Sequence, residues 1–410
     1  MSFTVLCSFV VGFYVAIWFF DSVFKSCMHY PYYAFMEGTG FKVGIFNFSW
    51  TTTAFNRCIF RWSKNLTRVL RKWFTCGYIF TIYICLPFAL WTLLSFIFEH
   101  FYESIELNSV PEVRAMLPGI NIPVSDFWVY FLAIGFSSVF HELGHALAAA
   151  QEDIPLIAVG LYVFTIIPVA YVQLNSEHLN SQPVAKRLRI YCAGVWHNVV
   201  LAFIALVLFF SAPILFSLAY ESDVGVRVTD LTYDSPLRDV RGLDQDDVIM
   251  METIKEHDVV ECCRKDDIYS YCFEYMEPKQ VVDSVLAGQY SLERKDNNAV
   301  LYLDQYFPRL KILSIFSPSQ FEKLLRYVFI FSMGIAFLNV IPCYGTDGHH
   351  IARNLIQILA KRLNKNGDFV TFFTVFTVVI GTGVTGPMLV YLFYKVFYMI
   401  NCKFCLIYNE

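Results

Sequence analysis

Between Phe127 and Ala150 the chain is apolar except at one point, where it reads Phe140-His141-Glu142-Leu143-Gly144-His145. The run is long enough to cross a bilayer, which takes roughly 20 helical residues. A chain with this run must therefore carry two imidazoles and a carboxylate inside a membrane-spanning segment. Ionisable groups at that depth are costly, and three within five residues are hard to tolerate without a cation to bind. On a helix, positions i and i+4 share a face, so His141 and His145 point together. That is the spacing at which two histidines bind Zn²⁺, with Glu142 beside them to take a proton from the attacking water. The alternative is that two His and one Glu merely fall on one helix. The apolar setting argues for the metal.

Composition extends the membrane argument to the whole chain. It is 56% hydrophobic and 16% charged over 410 residues, against about 25% charged in average globular domains. Further apolar runs cover Phe3–Phe20, Trp73–Phe98, Ile190–Tyr220, Tyr327–Thr346 and Phe369–Tyr394. The expectation is a polytopic α-helical membrane protein with about six transmembrane helices. Phe3–Phe20 has no basic start and no A-x-A site, so it reads as a spanning anchor rather than a cleaved signal. Pro87 makes a kink or a tight helical hairpin possible in its run. No basic helix or patch accompanies the aromatics, so no nucleic-acid partner is expected.

Two segments break the helical pattern. Ile154–Asn175 is apolar but interrupted by Pro155, Gly160 and Pro168, and it is rich in Val, Ile, Tyr, Phe and Thr. That composition favours strands, and a re-entrant β-hairpin beside the metal is expected. An ordinary kinked span is the alternative. Extended backbone at membrane depth survives only where protein or a water-filled cavity surrounds it. Residues 221–322 hold 21 of the 35 acids against 11 Lys/Arg, with short apolar pieces between turn residues. They read as an inserted, β-rich extramembrane domain. The chain then divides into anchor spans and loops (1–125), a first half of the membrane core (126–220), the inserted domain (221–322) and a second half of the core (323–410).

Lys/Arg-rich short loops mark the cytoplasmic side. Residues 186–189 and 349–365 are such loops, which puts the acidic regions 99–125 and 221–322 on the other, lumenal side. The His141–His145 helix then runs toward the cytoplasm. By the same rule residues 21–72, with eight Lys/Arg against two acids, are cytoplasmic. The glycosylation triplets Asn47-Phe48-Ser49 and Asn65-Leu66-Thr67 point the other way. Of the twelve cysteines, Cys262, Cys263 and Cys272 lie in the polar region, where one disulfide fits an oxidising lumen.

A catalytic zinc has three protein ligands and one open position. Asp347 is the leading candidate for the third ligand: it follows an apolar run and Pro342, and Gly345 and Gly348 let the backbone bend it inward. His349 and His350 are the rival ligands. Asn198, within Ile190–Tyr220, either donates a hydrogen bond to the substrate or the developing oxyanion or packs between helices.

Together, His141-Glu142-x-x-His145 on one span, Gly194-x-x-x-Asn198 on the next, and Asn339-x-x-Pro342 followed by Asp347-Gly348 resemble the site-2 protease family of intramembrane metalloproteases. The run Asn339 to Gly348, and Trp50-Thr51-Thr52-Thr53-Ala54-Phe55-Asn56-Arg57, look like its animal members in particular. The resemblance implies one Zn²⁺ held by His141, His145 and Asp347, with Glu142 as catalytic base. It implies that Gly194, Asn198, Asn339 and Pro342 lie on the substrate side, and that residues 221–322 form a PDZ-like lumenal domain. It further implies regulated intramembrane proteolysis in the Golgi. The substrates would be membrane-tethered transcription factors, such as sterol regulatory element-binding proteins, released after a first lumenal cut. The chain lacks the serine-rich or strongly cysteine-rich lumenal insertion of those relatives. A zinc-dependent transporter would need more intramembrane carboxylates than the other spans carry, and a catalytically silent scaffold would be expected to lack Glu142.

Overall fold

The computed structural model describes residues 3–101, 126–165, 167–217, 219–221, 226–231, 248–249, 301–304, 307–308 and 318–408. In chain order its elements begin with α1 (Phe3–Cys27), α2 (His29–Thr39), β1 (Phe41–Val43), β2 (Asn47–Thr52), α3 (Asn56–Asn65), α4 (Thr67–Phe80) and α5 (Leu86–Phe101). Then come α6 (Phe127–Gln151), β3 (Leu156–Phe164), β4 (Ile167–Leu174), α7 (Ser176–Ser181) and α8 (Val184–Phe216). Short strands β5 (Tyr220–Glu221), β6 (Val226–Leu231), β7 (Val248–Ile249), β8 (Leu301–Asp304) and β9 (Phe307–Pro308) follow. The chain closes with α9 (Pro318–Val340), α10 (Asp347–Arg362) and α11 (Gly367–Tyr408).

Six helical stretches among the described residues are long and apolar enough to cross a membrane. They are built on the six apolar runs of the sequence. Their large side chains, such as Phe203, Phe210, Phe372 and Phe376, point outward, while Ala148, Ala149, Ala193 and Ala202 are buried. This is the pattern of helices that pack by close approach of small residues rather than by hydrophobic exclusion from water. At Gly144 an added Cβ would lie 2.6 Å from the Ala193 carbonyl oxygen, so α6 and α8 touch backbone to side there. Pro87 does not open a hairpin. The turn before it, Thr81–Cys85, is π-helical, and the Leu86 N–H reaches the Thr81 carbonyl. One wider turn accommodates the missing proline donor and the helix continues.

Residues 154–175 do form the expected hairpin, β3 with β4. The sheet is larger than the sequence led us to expect, because β1 and β2 extend it to the order β1-β2-β3-β4. The signal was a short aromatic and β-branched piece, Trp50-Thr51-Thr52, set in a basic segment that read as a loop. β2 covers the whole outer edge of β3, with Phe48 opposite Val163 and Trp50 opposite Leu161. Of the two hairpin strands, β4 is therefore the one whose outer side pairs with no other strand among the described residues.

The hairpin lies along α6. Pro168 near its tip comes against Gly135, sixteen residues before α6 ends, or about 24 Å of helix. Backbone groups at such depth need protein partners. At the tip the Thr165 carbonyl accepts from the Tyr14 hydroxyl of α1 (2.8 Å), and the Thr165 N–H donates to Phe46 (3.0 Å). At the other end of the hairpin Asn56 donates to the carbonyls of Leu156 (3.1 Å) and Ile157 (3.0 Å), where a register shift interrupts the pairing.

Ion pairs join the ends of α3, α6 and α8: Lys64 with Asp153, Arg189 with Glu152 (2.6 Å) and Lys186 with Glu152 (3.3 Å). Two of the basic segments, 21–72 and 186–189, thus meet at the end of α6. The chain divides into two compact units, Met1–Leu206 with Tyr327–Glu410, and Val207–Arg326. In the second, β5 pairs with β9, and β6 lies between β7 and β8. Most of the inserted region, including Cys262, Cys263 and Cys272, lies outside the described residues.

Candidate metal centre

His141 and His145 stand one turn apart on the inner face of α6, 4% and 8% exposed. His145 lies six residues before the helix ends, roughly 9 Å along its axis. The two Nε2 atoms are 3.2 Å apart, and Asp347 Oδ2 is 3.1 Å from each. Each ring is fixed from behind. The Nδ1–H of His145 donates to the Ile190 carbonyl of α8 (2.8 Å), which leaves its Nε2 lone pair facing the centre. Nδ1 of His141 lies 3.2 Å from the side-chain amide of Asn198. With Nε2 free to ligate, Nδ1 carries the proton and donates to the Asn198 oxygen. The opposite amide orientation leaves that oxygen buried and without a partner.

Asp347 is the first residue of α10, and a tight turn delivers it. The Cys343 N–H and the Thr346 hydroxyl both bond the Ile341 carbonyl (2.8 Å each). Gly345 takes a positive φ of 84° that other residues adopt at a cost. The turn is tied to α11, where the Thr382 hydroxyl accepts from the Tyr344 N–H (3.0 Å). At Gly348 an added Cβ would fall 2.1 Å from the Ile341 oxygen, which explains the Asp-Gly pair. Burial pushes the Asp347 carboxyl up, but the His145 and His141 imidazoles outweigh burial and hold it below the usual carboxylate range.

Gly194 forms the floor of the centre. A Cβ built there would lie 2.3 Å from His145 Nε2 and 2.6 Å from His141 Nε2. Only a residue without a side chain leaves the space in front of both imidazoles open. Glu142 directly follows His141 on α6, beside the cluster. The remaining residues singled out in the sequence lie elsewhere. Asn198 is fully buried behind His141. Pro342 is buried in the turn, its carbonyl against Gly381 of α11, and Asn339 is half-buried on the last turn of α9. His349 and His350 stack on one another (5.0 Å), and His350 stacks on Tyr191 (4.6 Å), outside the three-residue cluster. Sequence reasoning missed Ile190, whose contribution is a backbone carbonyl and carries no side-chain signal. It also missed Ser138, which donates no ligand but stands one turn before Glu142 on the same face.

The donor set fits zinc. Two imidazole nitrogens and a carboxylate oxygen converge within 4.8 Å. Ligand atoms in a tetrahedral site with bonds of about 2.0–2.1 Å lie about 3.3 Å apart, close to the spacings seen. Three protein ligands leave one position for water or substrate.

The profile of peptidase family M50 matches residues 129–381, more than half of the chain and all of the cluster. The chain belongs to peptidase family M50. It is also 33% identical over 188 residues to a membrane-bound transcription factor site-2 protease homolog of Arabidopsis thaliana, covering 45% of this chain and 35% of the relative. The chain thus aligns with about a third of that relative's length. No solved structure matches. M50 membership makes this a metalloprotease fold, and the site-2 protease resemblance noted from three short motifs holds over the membrane core.

Proposed function

We propose that the chain is a zinc-dependent intramembrane endopeptidase that cuts membrane-spanning proteins in or near their transmembrane helix. The observation that carries this is the convergence of His141, His145 and Asp347 over Gly194, with Glu142 adjacent, at the end of an apolar helix. A bound Zn²⁺ supplies Lewis acidity, which lowers the pKa of water toward neutrality and polarises a carbonyl.

The side chains do the rest. Glu142 takes a proton at its carboxylate from the attacking water and returns it to the leaving amine. Asn198 and the Ile190 carbonyl hold the two imidazoles in the tautomer that faces the centre. Small residues at Gly144 and Gly194 keep the helices close and the floor clear. Peptide bonds in a helix are shielded, so a substrate must be extended before attack. The edge of β4 that pairs with no other described strand is suited to receive it as an added strand.

By analogy with the plant relative, the substrates are membrane-tethered transcription factors; the resemblance of the motifs to animal site-2 proteases extends this to the sterol regulatory element-binding type. The site resemblance supports action in the Golgi after a first lumenal cut, with residues 221–322 as a PDZ-like lumenal domain that filters substrates. Purified full-length protein should contain about one zinc per chain and cleave a transmembrane peptide, and Glu142→Gln should abolish cleavage while the zinc stays. Cleavage that survives Glu142→Gln would refute the assignment.

A further inference from the structure

The edge of β4 that faces α6 is not bare. The Ala170 N–H donates to the Ser138 hydroxyl at 2.7 Å, with both residues buried. Val172 is two residues further along β4 in the same phase, and Glu142 is four residues further along α6. Four residues of helix rise about 6.0 Å and two residues of strand about 6.7 Å. Positions i and i+4 of α6 therefore keep step with successive outward N–H groups of β4. Pro168, in the same phase, has no N–H to offer, so Ala170 and Val172 are the edge donors beside the centre.

We propose that Ser138 is a positioning residue that occupies the substrate's place on β4, and that an arriving extended strand displaces it. This rests on the peptidase assignment above. In the interior of a membrane protein an unpaired N–H is costly, so an empty edge must be satisfied from within. At Ala170 the Ser138 hydroxyl is the acceptor that does it. A substrate strand brings a carbonyl that takes over this N–H, so the hydrogen-bond count there is conserved. A segment that stays helical keeps its carbonyls bonded within its own helix and leaves Ser138 in place.

The test uses purified full-length protein and a transmembrane peptide, with Ser138→Ala and Ser138→Thr. Losing one competing neutral hydrogen bond should lower KM about fivefold in Ser138→Ala. Ser138→Thr, which keeps the hydroxyl, should match the wild-type KM, and zinc content should be equal in all three. Hydrogen exchange at the Ala170 amide reads the same swap without turnover. In free protein it should be faster in Ser138→Ala than in wild type, and saturating peptide should bring both to one slow rate. A KM that is unchanged or raised in Ser138→Ala, or an Ala170 amide that still depends on Ser138 with peptide bound, overturns the proposal. Absent cleavage alongside the expected exchange pattern would count against proteolysis instead, and leave the edge swap standing.

Discussion

Gly194 shows how much the centre depends on an atom that is not there. Alanine in place of glycine inside a helix is ordinarily favourable by about 1 kcal/mol. Here its methyl would stand 2.3 Å from His145 Nε2, in the space the ligands share. Gly194→Ala is therefore expected to fold, by circular dichroism, yet to lose bound zinc and cleavage together. Zinc-replete, active Gly194→Ala would mean that the imidazoles face another way. Asp347 and Glu142 separate the roles of ligand and base. Asp347→Asn keeps size and polarity but removes the charge, so bound zinc and activity should both fall. In Glu142→Gln activity alone should fall. An active, zinc-loaded Asp347→Asn protein would move the third ligand to His349 or His350. These residues were legible in the sequence because their chemistry is in their side chains. Gly194 was expected on the substrate side, through the resemblance alone. Its place against two imidazoles depends on how α8 crosses α6, and no local pattern encodes that.

At the scale of elements, the sheet decides which backbone groups are available. The hairpin could be read from Pro155, Gly160, Pro168 and the β-branched residues between them. Its covered edge could not, because β2 comes from more than a hundred residues earlier and is only six residues long. The consequence is a pair of proline substitutions with different outcomes. Val163 lies in an interior strand, paired with Phe48 and Pro168. Val163→Pro should destabilise the sheet, and a lowered melting temperature should accompany any loss of activity. Ala170 directs its N–H toward α6 and away from β3, in the same phase as the naturally occurring Pro168. Ala170→Pro spares the β3 ladder but removes the N–H bonded to Ser138, so it should lower the melting temperature less than Val163→Pro does and raise KM for a transmembrane peptide. Equal stability losses in the two variants would show that β4 is not a free edge.

The whole molecule poses a question about the inserted unit: whether catalysis needs it, or only selection does. The proposed ligands His141, His145 and Asp347 and the proposed base Glu142 all fall in the other unit. That follows from the topology, in which residues 207–326 interrupt a membrane core whose two halves carry different ligands. Under the proposed function, residues 221–322 act as a filter for substrates that have had a first cut. The structure supplies a clean way to remove most of the region. Tyr220 pairs with Pro308 and Glu221 with Phe307, so the chain enters and leaves at adjacent positions. Joining Glu221 to Phe307 through Asn-Gly would close that ladder with a two-residue hairpin turn. The shortened protein is expected to bind zinc and to cleave a pre-cut transmembrane peptide about as well as the full chain. It should also cleave a substrate that still carries its bulky lumenal domain, which the full chain should refuse. Comparing the two proteins on the two substrates tests the idea. If the shortened enzyme still rejects the uncut substrate, selection resides in the membrane core, and access to the edge of β4 becomes the place to look for it.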